Sequence, residues 1–388
     1  MNWPHAKLKF VAQFNYGDAL PTNEMQDGPF RVYGSNGPYA FFIHPNTGAP
    51  AIVVGRKGSY GKVNWTDEAC FASDTTFFID SSTTPHYLRW VYWLLQTLHL
   101  DEGTDEAAVP GLNREIAYSR DVAVPPLPQQ HAIADYLDRE TARIDTLIMV
   151  KERLLELLAE KRQAIISHAV TRGLDPNVPL RDSGIPWLGK IPTPWEVERA
   201  RWLFCERNVR SETGEEELLT VSHITGVTPR TEKDVNMFEA ETKEGYKICF
   251  PGDLVINTLW AWMGAMGVAP LKGIVSPSYH VYAIGTRYNP SYIDSLVRLP
   301  LFAQEVIRYS KGVWTSRLRL YPEGFFEIYL PVPPLDEQQA IVEHISCEAA
   351  KINAVRDATE KTIALLKERR TALIAAAVTG QIEVGGTA

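Results

Sequence analysis

The chain has 388 residues and a mass of 43.6 kDa, with 45% hydrophobic and 22% charged residues, enough for two or three domains with real cores. A formal charge of −8 and a pI near 5.7 exclude a simple basic nucleic-acid binder, though not a local basic face. Four scattered cysteines (Cys70, Cys205, Cys249, Cys347), with no C-x-x-C pair and no Cys/His cluster, argue against a disulfide framework or a structural zinc site and favour a cytoplasmic setting.

In chain order, the opening Met1 to Phe10 lacks the charged and apolar regions of a secretory signal. Short apolar runs punctuated by turns follow: Tyr33 to Pro38, Ala51 to Val54, the polar loop Gly55 to Lys62, then Thr75 to Ile79. These read as strands and loops, with one aromatic helix near His86 to Leu100. From Gln129 to Arg172 there is neither Pro nor Gly, and Ala, Leu, Glu, Lys, Arg and Gln dominate, which predicts one long helix entered at Pro128 and stopped at Gly173. A turn-rich stretch through residues 173–194 leads to Trp195.

The second block, residues 195–335, repeats the style of the first, residues 1–128. It has a strand at Leu254 to Asn257, a loop through Trp260 to Gly264, a strand near Tyr279 to Ile284 and a helix near Tyr292 to Tyr309. Its most apolar stretch, Leu254 to Pro270, is broken by Asn257, Thr258 and several glycines, so no membrane span is expected. A second long helix runs over residues 336–380, capped by Asp336 with Gln339 and stopped at Gly380, and residues 381–388 form a tail.

The two long helices are copies. Val124-Pro125-Pro126-Leu127 recurs as Val332-Pro333-Pro334-Leu335, and the match runs on without a gap at an offset of about 208 residues, with about 20 of about 49 positions identical. A fainter echo joins Trp3 and Lys9-Phe10-Val11 to Trp195 and Arg201-Trp202-Leu203. Leu137, Ile144, Leu158 and Ile165 fall on one seam of the first helix, and Ile345, Ile352, Leu366 and Leu373 on the same seam of the second. A helix of about 44 residues is about 65 Å long and cannot be covered by a compact domain alone. The expected fold is therefore α+β: two divergent domains held at opposite ends of two long antiparallel helices that form a coiled coil, with a pseudo-two-fold internal repeat.

Neither block is basic overall: residues 1–128 carry about 9 Lys/Arg against 13 Asp/Glu, and residues 195–335 about 15 against 17. Cationic and aromatic residues nevertheless gather on loops, where Arg forks suit guanine and small polar groups suit adenine. The candidates are Arg56, Lys57, Ser59, Tyr60 and Lys62 in the first block, and Asn257, Trp260, Trp262, Met263, Ser278, Arg317 and Arg319 in the second.

Motifs for catalysis fail. Gly55 to Lys62 has the wrong glycine spacing for a phosphate loop and lacks Ser or Thr after the lysine. Asn289-Pro290-Ser291-Tyr292 resembles the Asn-Pro-Pro-Tyr motif of adenine-N6 methyltransferases, but no glycine-rich cofactor loop accompanies it and a helix-starting turn explains it better. The nine histidines are scattered without a nucleophile, and no metal site is expected.

Two divergent domains, each followed by a Val-Pro-Pro-Leu-x-x-Gln-x-Ala-Ile helix, together with Gly189 to Pro192 before Trp195 and the run Pro251 to Asn257, resemble the specificity (S) subunit of type I restriction-modification enzymes. The resemblance implies that residues 1–128 and 195–335 are target recognition domains, each reading one half of a bipartite double-stranded DNA sequence, spaced by conserved helices 129–172 and 336–380. It further implies two modification (M) subunits, which use S-adenosylmethionine to methylate adenine, and restriction (R) subunits, which use ATP and Mg. This chain would bind no cofactor and catalyse nothing. Two rival readings are a self-contained adenine methyltransferase built on Asn289 to Tyr292, and a coiled-coil scaffold without DNA contact.

Overall fold

A computed structural model describes residues 3–21, 28–101, 111–232, 242–314 and 317–384. The chain divides into two units, residues 1–154 with 358–388, and residues 155–357.

In unit 1 the central strand Ala51–Gly55 is buried throughout. It lies inside a four-stranded antiparallel sheet of order Asn15–Tyr16, Thr76–Asp80, Ala51–Gly55, Val63–Thr66, with Val53 opposite Phe78 on one side and Asn64 on the other. Helix α1 (Leu88–Gln96) turns Trp90, Val91, Leu94 and Leu95 inward onto it. A short α2 (Arg114–Tyr118) is capped by Asn113, whose side chain accepts from the N–H groups of Glu115 and Ile116. Strand His5–Lys7 pairs with Asp121–Ala123 immediately before the long helix α3 (Leu127–Arg172).

Unit 2 repeats this plan. Its sheet runs Phe204–Arg207, His280–Ile284, Leu254–Ile256, Met266–Val268, the same order of first, last, middle and next strand. Strand Glu196–Arg199 pairs with Tyr329–Val332. The single helix expected near Tyr292 to Tyr309 is in fact two, α4 (Pro290–Val297) and α5 (Pro300–Tyr309): Pro300 disfavours the helical conformation at Leu299, which is extended at φ −66°, ψ 137°. A short α6 (Pro322–Glu327) precedes the second long helix, α7 (Leu335–Val378). Residues 173–194 are more than a connection. They form a hairpin, Leu180–Asp182 with Lys190–Pro192, that buries Trp187, Leu188 and Ile191 in the core of unit 2.

Each long helix passes from one unit into the other, and the two are antiparallel. In unit 1, Arg370 of α7 pairs with Asp145 of α3, while Lys367 lies 3.6 Å from Glu152, so the numbering of one helix rises as the other falls. The core of unit 1 takes in Ile133 and Leu137 from α3 and Ile374, Ala377 and Val378 from α7; that of unit 2 takes in Val170 and Ile341. Of the expected seam, Leu137, Ile144 and Ile352 are buried, while Leu158, Ile165, Ile345, Leu366 and Leu373 are half-buried. Thr141, Ile148, Thr359 and Ile363 are buried as well, so Leu137, Thr141, Ile144 and Ile148 on α3, and Thr359, Ile363 and Leu366 on α7, follow one another in alternating steps of four and three.

Asp336 is not the cap of α7. The carbonyl of Pro334 already accepts from the N–H of Gln338, so the helix starts at Leu335 and Asp336 lies inside its first turn, where a carboxylate still suits the dipole. Both helices stop at glycines of positive φ, Gly173 (+75°) and Gly380 (+74°). A Cβ at Gly380 would fall 2.9 Å from the ring of Trp3, so only glycine lets that indole close over the helix end. No described helix is long and apolar enough to cross a membrane.

Candidate nucleic-acid interface

The loops singled out from sequence follow the same strand in both units: Gly55 to Lys62 leaves Ala51–Gly55, and Asn257 to Gly264 leaves Leu254–Ile256. The first loop is closed by Gly55 N–H donating to the Lys62 carbonyl and Gly61 N–H to that of Gly55. Gly61, at φ +78°, lies so close to Asp101 that a Cβ would meet its nitrogen at 2.3 Å. An open cleft of about 400 Å³ runs along Ser59 to Val63, Gln96 and His99.

Side chains on this loop divide. Lys57, Ser59 and Lys62 are exposed, with Lys62 Nζ donating to the Asn36 carbonyl at 2.7 Å. Arg56 is half-buried. One guanidinium nitrogen donates to the Asp74 carbonyl at 2.7 Å and the group lies 5.0 Å from the ring of Tyr16, so it braces the loop. Tyr60 is half-buried and borders α2.

In unit 2, Asn257 is a correction: it is 5% exposed and its amide is spent inside the domain. Nδ2 donates to the Val221 carbonyl and to the Tyr279 hydroxyl, and Oδ1 accepts from the Leu259 N–H, so it shapes the loop and reads nothing. Burial pushes the Tyr279 phenol up, keeping it neutral in this arrangement. Trp260 is half exposed and nearly parallel to Trp262 (15° between planes), whose indole N–H donates to Leu259. Met263 is half-buried; Ser278 is exposed, its carbonyl accepting from the Thr258 hydroxyl.

Arg317 and Arg319 are exposed on a second loop tied back by hydrogen bonds between Lys311 and Arg319. The tie brings them beside Leu259 in an open cleft of about 640 Å³ that also includes Val313 and Trp314. Those last two, 93% and 69% exposed, stand outside the candidate readers; Trp314 was legible in sequence as the aromatic beside Arg317 and Arg319, whereas Val313 was not singled out. Leu320 N–H donates to the Thr258 carbonyl, fastening this loop to the one carrying Trp260.

The methyltransferase-like motif is structural. Asn289 caps α4, its side chain accepting from Ser291 N–H. Tyr292 is wholly buried and donates to the Val170 carbonyl at 2.8 Å, where no base could stack on it. Among the described residues no group of His, Cys, Asp or Glu could hold a metal.

Fold and site thus define a class: a duplicated α+β protein whose two like units each present loops of cationic, polar and aromatic side chains beyond the same strand. The EcoBI specificity subunit of a type I restriction enzyme from Escherichia coli is 20% identical over 396 residues, taking in 95% of this chain and 81% of its own length. The StySPI specificity subunit from Salmonella potsdam is 28% identical over 94 residues, 24% of this chain and 20% of that one. Among solved structures, a chain from a study of complex assembly and conformational transition of the type I R-M system superposes with a TM-score of 0.70 at 14% identity, covering 98% of both chains. The HsdS subunit from Thermoanaerobacter tengcongensis gives 0.54 at 14% identity over 98% of this chain and 97% of its own. No family model matches. The chain is thus similar in sequence to type I restriction enzyme specificity subunits, and its fold is similar to that of an HsdS subunit.

Proposed function

We propose that this chain is the non-catalytic DNA-recognition subunit of a type I restriction-modification system, reading a bipartite target and assembling with modification and restriction subunits. The observation that carries it is the pairing of one repeated frame with two different readers. Sheet order and long helices recur, whereas the loops that follow the central strand differ residue by residue, Lys57, Ser59 and Lys62 in one unit against Trp260 and Trp262, with Arg317 and Arg319 nearby, in the other. A repeated frame with unlike loops suits two unlike half-sites.

On this reading two modification subunits bring S-adenosylmethionine and the restriction subunits bring ATP and Mg, in the cytoplasm, and residues 1–128 and 195–335 are the recognition domains. The acidic balance of the chain fits a complex in which partners supply much of the phosphate contact. Exchanging residues 1–128 for the equivalent block of another specificity subunit is expected to change one half of the methylated motif and spare the other, read by single-molecule methylome sequencing. An unchanged motif from an assembled, active chimera refutes the proposal.

A further inference from the structure

One repeated feature lies outside the reading loops. Lys7, Lys9 and Phe10 in unit 1 correspond to Arg199, Arg201 and Trp202 in unit 2 at one offset (199 − 7 = 201 − 9 = 202 − 10 = 192). They sit on matching 3-10 turns, Leu8–Phe10 and Ala200–Trp202, just after the strand that pairs beside the long helix. In each turn the residue that opens it is fully buried, Leu8 and Ala200, as is the one that follows it, Val11 and Leu203. The turn is therefore held rigidly, and its last ring is pushed into solvent: Phe10 is 66% exposed and Trp202 72%. A cation stands beside the first ring, Lys9 Nζ lying 4.8 Å from the Phe10 centroid, whereas Arg201, next to Trp202 in sequence, is held by the Glu327 carboxylate. Lys7 is tethered to Asp121, and Arg199 shares Glu327 with Arg201.

Leaving a large ring in water at a rigid turn has no benefit to the unit that bears it, yet both units do so while their reading loops have diverged. A feature shared by two unlike readers answers to something both meet in the same form. We infer that this basic-x-basic-aromatic turn is the docking point for the partner present in two copies, one modification subunit per unit, with the exposed ring entering an apolar pocket on the partner. The inference rests on the proposed function and extends it to named residues. Exposed aromatic rings are what protein interfaces use as anchors, whereas a phosphate contact needs a free cation and has no use for the ring, and in unit 2 both arginines are engaged by Glu327.

The test uses the full chain and the modification subunit of the same system, with stoichiometry from native mass spectrometry and affinities from calorimetry. Phe10→Ala and Trp202→Ala should each weaken one of the two binding events by about tenfold or more and leave the other unchanged, and the double variant should weaken both. Phe10→Gln and Trp202→Gln give an independent, equally soluble pair with the same expectation, while Phe10→Trp and Trp202→Phe should bind like the parent chain. A double variant that binds two copies with parental affinity overturns the inference. So does one that assembles normally but loses DNA affinity evenly over all sequences, which would assign the turn to phosphate. A parent chain that binds no modification subunit at all refutes the proposed function itself.

Discussion

Gln130 and Gln338 are the one repeated side chain whose purpose only atomic geometry reveals. Both are buried, at 1% and 0% exposure. Gln130 Oε1 accepts from Tyr87 N–H, the residue that precedes α1, while Nε2 donates to the Pro125 carbonyl and to His86 Nδ1. Gln338 Oε1 accepts from Asn289 N–H, the residue that precedes α4, while Nε2 donates to the carbonyls of Pro333 and Arg287. Each glutamine thus pins the start of a domain helix to the start of a long one. Replacing either with alanine strands at least one buried N–H and two acceptors, and should cost about 2–4 kcal/mol, seen as a lower denaturation midpoint confined to its own unit. A loss under about 0.5 kcal/mol would show the network to be dispensable.

The partner of Gln130 adds a dependence on pH. Burial holds the His86 imidazole below its ordinary value of 6.5, and Nδ1 must be unprotonated to accept from the amide. The unfolded chain binds the proton more readily, so the stabilisation is full above the ordinary value and falls away as pH drops through it toward the native value. An NMR titration should place the His86 midpoint below 6.5, and a midpoint at or above it would contradict the geometry. Among candidate readers, Arg317 carries the clearest expectation: exposed on its loop, it should cost about 1–3 kcal/mol at one base pair when cut to alanine if it forks onto guanine. A smaller loss, uniform over sequences and with a reduced salt slope in binding assays, would assign it to phosphate instead.

At the scale of elements, the long helices were legible because their signals are local: helix formers without Pro or Gly, heptad spacing and terminal glycines all lie along one stretch. The break at Pro300 was equally local, yet the apolar periodicity on either side hid it. Energetic weight along the helices differs from what charge would suggest. Leu137 is fully buried in the core of unit 1, whereas Arg370 and Asp145 meet at the surface with side chains 28% and 51% exposed. Leu137→Ala should therefore destabilise unit 1 by about 2–5 kcal/mol and Arg370→Ala by under about 1 kcal/mol, compared by urea unfolding. The reverse order would mean that ion pairs rather than apolar burial hold the helices together.

For the whole molecule, duplication is the organising fact, and it reaches beyond the helices. Each unit closes its core with the start of one long helix and the end of the other, and each helix-ending glycine is covered by a tryptophan, Trp3 over Gly380 and Trp195 beside Gly173. This sets a condition on the exchange of residues 1–128: the incoming block must keep the groups that meet Ile133, Leu137, Ile374 and Gly380, or the chimera will fail in folding before it can report on DNA. A recognition defect and a packing defect are separated by the melting of unit 1.

What the amino-acid order determined by itself was what near neighbours along the chain carry: two copied helices, the α+β character of the blocks and the absence of a recognisable catalytic motif. Only the tertiary structure decided that the two blocks share one strand order, that Asn257 and Arg56 serve the loops they stand on, that Asn289 and Tyr292 build a helix end, and that Val313 and Trp314 face outward. The physical reason is that strand pairing and burial are set by residues far apart in sequence, so two divergent blocks can keep one fold while hardly any residue pair records it.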